Sequence, residues 1–142
     1  MKINGENFFI TRSESETFNL GIEFGKCITP GSIILLHGDL GSGKTVFVRG
    51  VCSYFGIKSG VRSPSFTIMN EYECENILIV HADLYRLEKN NVLDTGLDEY
   101  AGAKDVILFV EWPDRWNYEN FDGVINIYFN ALDENTREIK LS

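Results

Sequence analysis

Three short apolar runs organise the chain: Ile33-Ile34-Leu35-Leu36, Ile77-Leu78-Ile79-Val80 and Val106-Ile107-Leu108-Phe109-Val110. Each has the length of a strand and lacks the alternation of a half-exposed one, so each predicts a strand buried on both faces. Ahead of the first, Phe8 to Ile10 predict a short strand. Ser13 and Glu16 then form a capping box, which opens a helix by satisfying its free backbone N–H groups. Leu20, Phe24, Cys27 and Ile28 recur at helical spacing and are expected to face the core, until Thr29-Pro30-Gly31 ends the element. A glycine-rich stretch follows the first apolar run. After it comes a second amphipathic helix, with Phe47, Val51, Tyr54 and Phe55 on one stripe and Gly56 as C-terminal cap. Residues 66–73 alternate like a strand, and the polar residues 87–102 predict one or two short helices. Residues 123–132 and 136–142, joined by the turn Asp133-Glu134-Asn135, predict an antiparallel hairpin.

Strand, glycine-rich loop, helix and further apolar strands make an α/β plan: a mostly parallel central sheet flanked by helices, with a C-terminal antiparallel hairpin. The 142 residues suit one domain, expected to span 1–142, and the 44% hydrophobic content suits a packed core. The strands ending at Gly38, Asp83 and Glu111 are expected side by side. Ligands of such sheets bind at the carboxyl ends of the strands, so these three ends should meet at one rim.

Charge and cysteines narrow the partners. The net charge is −8, and the basic residues are scattered singly, which disfavours a direct grip on a polyanion. Cys27, Cys52 and Cys74 are an odd number, at least 22 positions apart, matching neither a metal knuckle nor a disulfide framework and suiting a reducing compartment. His37 and His81 lack the spacing of paired zinc ligands. The N-terminal residues lack the apolar core of a signal peptide, and no apolar run approaches a membrane span. A cytoplasmic protein with no membrane partner is expected.

The chemistry concentrates in Gly38-Asp39-Leu40-Gly41-Ser42-Gly43-Lys44-Thr45, a full match to G-x-x-x-x-G-K-[ST]. A chance match in a chain this long occurs roughly once in a few hundred sequences, and this one also follows a buried strand and precedes an amphipathic helix. Gly41 and Gly43 let the backbone approach an anion closely, and the N–H groups form a nest at the positive end of the helix. Lys44 supplies a charge to the β- and γ-phosphates, and Thr45 offers a hydroxyl to Mg²⁺. The N-K-x-D and D-x-x-G strings of guanine-selective NTPases are absent, which favours ATP.

A phosphate site needs a carboxylate to orient metal or water, and Glu111 and Asp83 both close apolar strands. Asp83 has a second reading, as N-cap of a segment starting at Leu84. Ser63, Ser65 and Thr67 either cap a turn or form a loop that senses the γ-phosphate. Trp112 either covers the phosphate loop or plugs the rim. Few cations are free to act as an arginine finger, Arg62 and Arg86 being the nearest candidates. Two other functions use the same loop. A small-molecule kinase needs an arginine-rich lid, which the chain lacks. A non-hydrolysing nucleotide sensor needs Lys44 and Thr45 but not Glu111.

Five stretches occur together and in order: Thr11–Gly21, Gly38–Thr45, Ser63–Tyr72 ("SPSFTIMNEY"), His81–Leu87 ("HADLYRL") and Glu111–Arg115 ("EWPDR"). In these the chain resembles the TsaE family, the small bacterial ATPases of tRNA threonylcarbamoyladenosine (t6A) formation, over nearly its whole length. The resemblance implies ATP and Mg²⁺ at Gly38 to Thr45. It also implies a switch-like loop containing Thr67, with Asp83 and Glu111 at the metal or the water and Trp112 beside the phosphate loop. Thr11 and Ser13 would lie towards the adenosine. It implies weak ATPase activity that supports the threonylcarbamoyl transferase subunit TsaD and its dimerisation partner TsaB, with tRNA engaged only indirectly. The chain departs from the family pattern in three places: Ser65 stands for the commoner Thr, Asp114 for Glu, and no Leu-Pro follows in 116–122.

Overall fold

The computed structural model describes residues 1–57, 68–87, 91–92 and 95–142. Its frame is one seven-stranded sheet. In chain order the elements are β1 (Phe8–Thr11), α1 (Glu14–Cys27), β2 (Ile33–His37), α2 (Lys44–Tyr54), β3 (Met69–Cys74), β4 (Ile77–Asp83), α3 (Leu97–Tyr100), β5 (Val106–Glu111), β6 (Ile125–Ala131) and β7 (Arg137–Leu141). The spatial order is β1-β7-β6-β2-β5-β4-β3. β6, β2, β5 and β4 run parallel, and β3, β7 and β1 are added antiparallel. The three apolar runs are thus the three adjacent parallel strands β2, β5 and β4. Their register pairs Leu36 with Glu111 and Glu111 with Asp83, which brings the carboxyl ends to one rim.

Alternation along these strands feeds two cores. Ile34, Leu36, Ile79, Ile107 and Phe109 pack with α1 and α2. Ile33, Leu35, Val80, Leu108 and Val110 pack on the other face with Leu84, Leu97 and Trp116. That second face is covered by α3 and the turns of 112–121, and Trp116 is fixed there by its indole N–H donating to Asp98 Oδ1 at 2.7 Å. Among the described residues no helix is long and apolar enough to cross a membrane.

The helices differ from expectation in which face they bury. In α1 the buried positions are Thr17, Gly21, Phe24 and Gly25, whereas Cys27 is exposed and Leu20 half-buried. In α2, Phe47 and Val51 are buried as expected but Tyr54 is exposed. The cause is the α1–α2 crossing, which is set by glycine. A Cβ on Gly21 would collide with the Phe47 carbonyl oxygen, and one on Gly50 with that of Phe18. Close backbone approach at these glycines stands beside side-chain contact: the Phe24 and Phe47 rings lie 5.3 Å apart, and Tyr54 packs one side against Gly25 while the rest stays exposed. α2 ends as expected at Gly56, which is left-handed: its N–H bonds Ser53 O at 3.0 Å and the Ile57 N–H bonds Cys52 O at 2.9 Å, a Schellman closure.

Candidate functional site

β2 delivers the chain into Gly38–Gly43, and α2 begins at Lys44. The N-cap is Gly43 at φ +102°, and no side chain caps the helix. The first N–H groups of α2 are therefore left to face whatever occupies the rim, which is the physical requirement for an anion site. α1 stands beside this loop. Ser13 Oγ accepts the Glu16 N–H at 3.1 Å, as the capping box predicts, while the Glu16 carboxylate reaches one residue further back, to the Arg12 N–H at 3.1 Å.

Glu111, the last residue of β5, is only 5% exposed and is held from two sides. Its Oε1 lies 3.3 Å from Lys44 Nζ and its Oε2 accepts from His81 Nε2 at 2.6 Å. Lys44 Nζ also donates to the Gly38 carbonyl. Burial by itself would push the Glu111 carboxyl up. The His81 hydrogen bond and the charges of His81 and Lys44 outweigh it and hold the group below the usual carboxylate range. Asp83 behaves oppositely. Burial pushes its carboxyl up; the Tyr85 N–H, donating at 3.0 Å, offsets part of this, and repulsion from Glu111 adds to it. The Asp83 contact to Tyr85 is an Asx turn: residues 84–87 form a turn and not a helix, so the helix N-cap of its second reading is not formed there, and Leu84 donates its N–H to Glu111 O at 3.2 Å. Trp112 takes the left-handed conformation, φ +57°, which is rare for a bulky residue and costs on the order of 1–3 kcal/mol. The bend puts its ring centroid 5.8 Å from Lys44 Nζ, with Tyr85 packed at 4.9 Å.

Lys44, Asp83 and Glu111 border a cavity of about 440 Å³, whereas Trp112 and His81 stand behind them and do not line it. Of the residues singled out in the sequence, Ser13, Leu40, Gly41, Gly43, Lys44, Thr45, Asp83 and Glu111 line it. Leu40 projects from the loop, 86% exposed, and Asp39 is also exposed. Gly38 and Ser42 lie beneath the loop, where Gly38 receives Lys44 and Ser42 is buried. Thr11 does not line the cavity; it is buried behind it, bonded through Oγ1 to Thr17 Oγ1 at 2.7 Å, and Thr17 does line it. Thr67, Ser63, Ser65 and Arg62 lie outside the described residues.

Sequence reasoning missed one wall and one support. The wall is the β6–β7 turn: Glu134, Asn135 and Arg137 line the cavity because β7 pairs with β1, setting Arg137 opposite Thr11. Arg137 donates to the carbonyls of Asp133, Glu134 and Thr136, so its guanidinium organises the turn. The support is His81, fully buried, whose Nδ1 has no hydrogen-bond partner among the described residues. Such an unpaired buried nitrogen costs about 1–3 kcal/mol. The signal for it was present: residues two apart in a strand share a face, and His81 stands two before Asp83.

The donors fit a nucleotide phosphate with Mg²⁺. An uncapped helix start, a buried lysine, a threonine hydroxyl and two carboxylates converge on one cavity, and the raised Asp83 carboxyl is a group that gains from a nearby cation. Mg²⁺ takes one or two protein carboxylates together with phosphates and water.

Comparison with known proteins gives a consistent result. The family model "Threonylcarbamoyl adenosine biosynthesis protein TsaE" matches residues 11–139. A protein of Nostoc sp. named tRNA threonylcarbamoyladenosine biosynthesis protein TsaE is 39% identical over 137 residues, covering 94% of this chain and 83% of its own. A protein of the same name from Bacillus subtilis is 46% identical over 110 residues, covering 78% of this chain and 68% of its own. The crystal structure of YdiB from Bacillus subtilis superposes with a TM-score of 0.75 at 31% identity, covering 94% of this chain and 82% of that one. With its phosphate-loop geometry, its acid-ended parallel strands and a family match from Thr11 to Ile139, the chain belongs to the TsaE family of threonylcarbamoyl adenosine biosynthesis proteins.

Proposed function

We propose that this protein binds ATP with Mg²⁺ and hydrolyses it slowly, in the service of the threonylcarbamoyl transferase TsaD and its partner TsaB during t6A formation on tRNA. The observation that carries this reading is the convergence of Lys44, Asp83 and Glu111 at the uncapped start of α2. Lys44 exchanges the Gly38 carbonyl and Glu111 for phosphate oxygens. Glu111, relieved of Lys44, presents Oε1 to the cavity as a base for water. Thr45 and Asp83 would hold Mg²⁺, which supplies charge neutralisation across the phosphate oxygens. The adenosine runs towards Ser13 and Thr17, with the β6–β7 turn as the opposite wall.

Slow turnover follows from the cations. Arg137, the arginine lining the cavity among the described residues, is committed to three turn carbonyls. An absent arginine finger lowers phosphoryl-transfer rates by roughly 10³–10⁵. The acidic chain suits docking on a protein rather than gripping tRNA.

A second reading, a nucleotide sensor that does not hydrolyse, draws on Glu111 being engaged on both oxygens. The test is phosphate release with and without TsaD and TsaB, for wild type and Glu111→Gln. Hydrolysis predicts release that the partners stimulate and Glu111→Gln abolishes, without loss of ATP affinity. Undiminished t6A formation by Glu111→Gln refutes it in favour of sensing, and phosphate appearing on a metabolite refutes it in favour of a kinase.

A further inference from the structure

We propose that His81 is a positioning residue for Glu111: from its buried place on β4 it holds Oε2, so that only Oε1 is left to Lys44 and the cavity. The catalytic consequence rests on the hydrolytic reading above; the anchoring is a property of the ligand-free protein.

Three observations carry this. The His81 Nε2 to Glu111 Oε2 contact, at 2.6 Å, is shorter than the 3.3 Å between Lys44 Nζ and Oε1, so the histidine is the tighter of the two partners. His81 is fully buried on β4, between β5 and the antiparallel β3, so its anchor is a strand paired on both sides. Lys44, by contrast, stands at the first turn of α2 beside the cavity and has a second acceptor, Gly38 O. When an anion draws Lys44 away, one contact breaks and the other stays, so Glu111 keeps its orientation with a single oxygen freed. A histidine kept only for packing would not be favoured here over an apolar residue, because the buried Nδ1 has no partner among the described residues. A hydrogen bond to Glu111 is what the position gains.

Without His81 the carboxylate turns both oxygens to Lys44 and competes better with phosphate. The test therefore reads ADP affinity by calorimetry in EDTA, so that no metal and no turnover enter. The proteins are wild type, His81→Met, His81→Gln, Glu111→Gln and the double variant His81→Met/Glu111→Gln. Expected are a loss of roughly three- to tenfold for His81→Met and a gain of roughly tenfold for Glu111→Gln, where Lys44 is released. The double variant should match Glu111→Gln within about twofold, because His81 acts only through Glu111. His81→Gln, which sets an amide N–H near the place of Nε2, should restore affinity to within about twofold of wild type. Unchanged affinity in His81→Met, an equal loss in both backgrounds, or no rescue by Gln overturns the proposal. Phosphate release with Mg²⁺ is the second arm: His81→Met should lower kcat roughly tenfold with KM within about threefold. A kcat that His81→Met leaves unchanged overturns the positioning role. A wild type that releases no phosphate while the affinity order holds sinks the hydrolytic reading and leaves the anchor standing.

Discussion

Replacing Gly21 by Ala sets two effects of opposite sign against each other. Alanine is the better helix former by about 1 kcal/mol, so propensity alone predicts a more stable protein. The structure predicts the reverse. The added Cβ would lie 3.1 Å from Gly50 Cα and collide with the Phe47 carbonyl oxygen. Carbon atoms rest about 3.5–4.0 Å apart, and the obstacles are backbone atoms that cannot rotate away, so α1 and α2 must separate by on the order of 1 Å. Overpacking of this kind costs about 1–3 kcal/mol, and the rigid neighbours place Gly21→Ala at the upper end, for a net loss of about 2 kcal/mol. With an unfolding entropy of about 0.3 kcal/mol/K for 142 residues, Tm should fall by about 7 °C. The same separation moves Ser13 and Thr17 away from Lys44 across the cavity, so ATP affinity should fall as well. Thermal denaturation followed by circular dichroism and calorimetric titration are the assays. A variant that melts at or above wild type shows that propensity prevails and refutes the close crossing as the device that sets the width of the site.

Lys44→Ala should abolish nucleotide binding while leaving the fold intact; calorimetry showing unchanged affinity would remove the phosphate-loop assignment. Asp83→Asn should raise the Tm of the nucleotide-free protein at neutral pH. A carboxyl whose pKa is higher folded than unfolded destabilises once ionised, and that penalty disappears as pH falls below the unfolded carboxylate range. A melting series from neutral to acid pH checks this, the two proteins converging at the acid end. Glu111 carries the opposite sign: its lowered pKa contributes stability above the unfolded carboxylate range that is lost as pH falls through the folded value, so Glu111→Gln should show a flatter acid limb. Displacing Lys44 should change the emission of Trp112, 5.8 Å away, so Trp112→Phe should remove the nucleotide-dependent fluorescence signal, leaving the buried Trp116 silent.

The parallel centre of the sheet was legible because its strands carry no polar alternation, and double burial is the reason both for that pattern and for their central place. The acids Asp83 and Glu111 were legible for a related reason: a charge ending an apolar run must lie where the sheet meets water. Cys27 and Tyr54 misled: each keeps the apolar spacing but stands in the last turn of its helix, where Cys27 is exposed and Tyr54 covers Gly25 with one side only. Arg137 carried no motif. It reaches the site through the pairing of β7 with β1, a partnership between distant segments that no local pattern encodes. His81 was read only as lacking the spacing of a paired zinc ligand, and its meaning depends on Glu111 arriving from the neighbouring strand.

The pairing of β1 with β7 also bears on the order of assembly. β1 leads into α1, whose first turn forms one wall of the cavity, and β7 opens with the arginine that shapes the opposite wall. β1 and α1 leave the ribosome before β7, yet among the described residues β1 finds its ladder partner only in β7. Closing so long a loop is entropically expensive and slow, so the parallel centre can form while the cavity still lacks a side. A chain whose β7 has not yet docked therefore holds the phosphate loop with no enclosed pocket, and ligand affinity becomes a reporter of β7 docking.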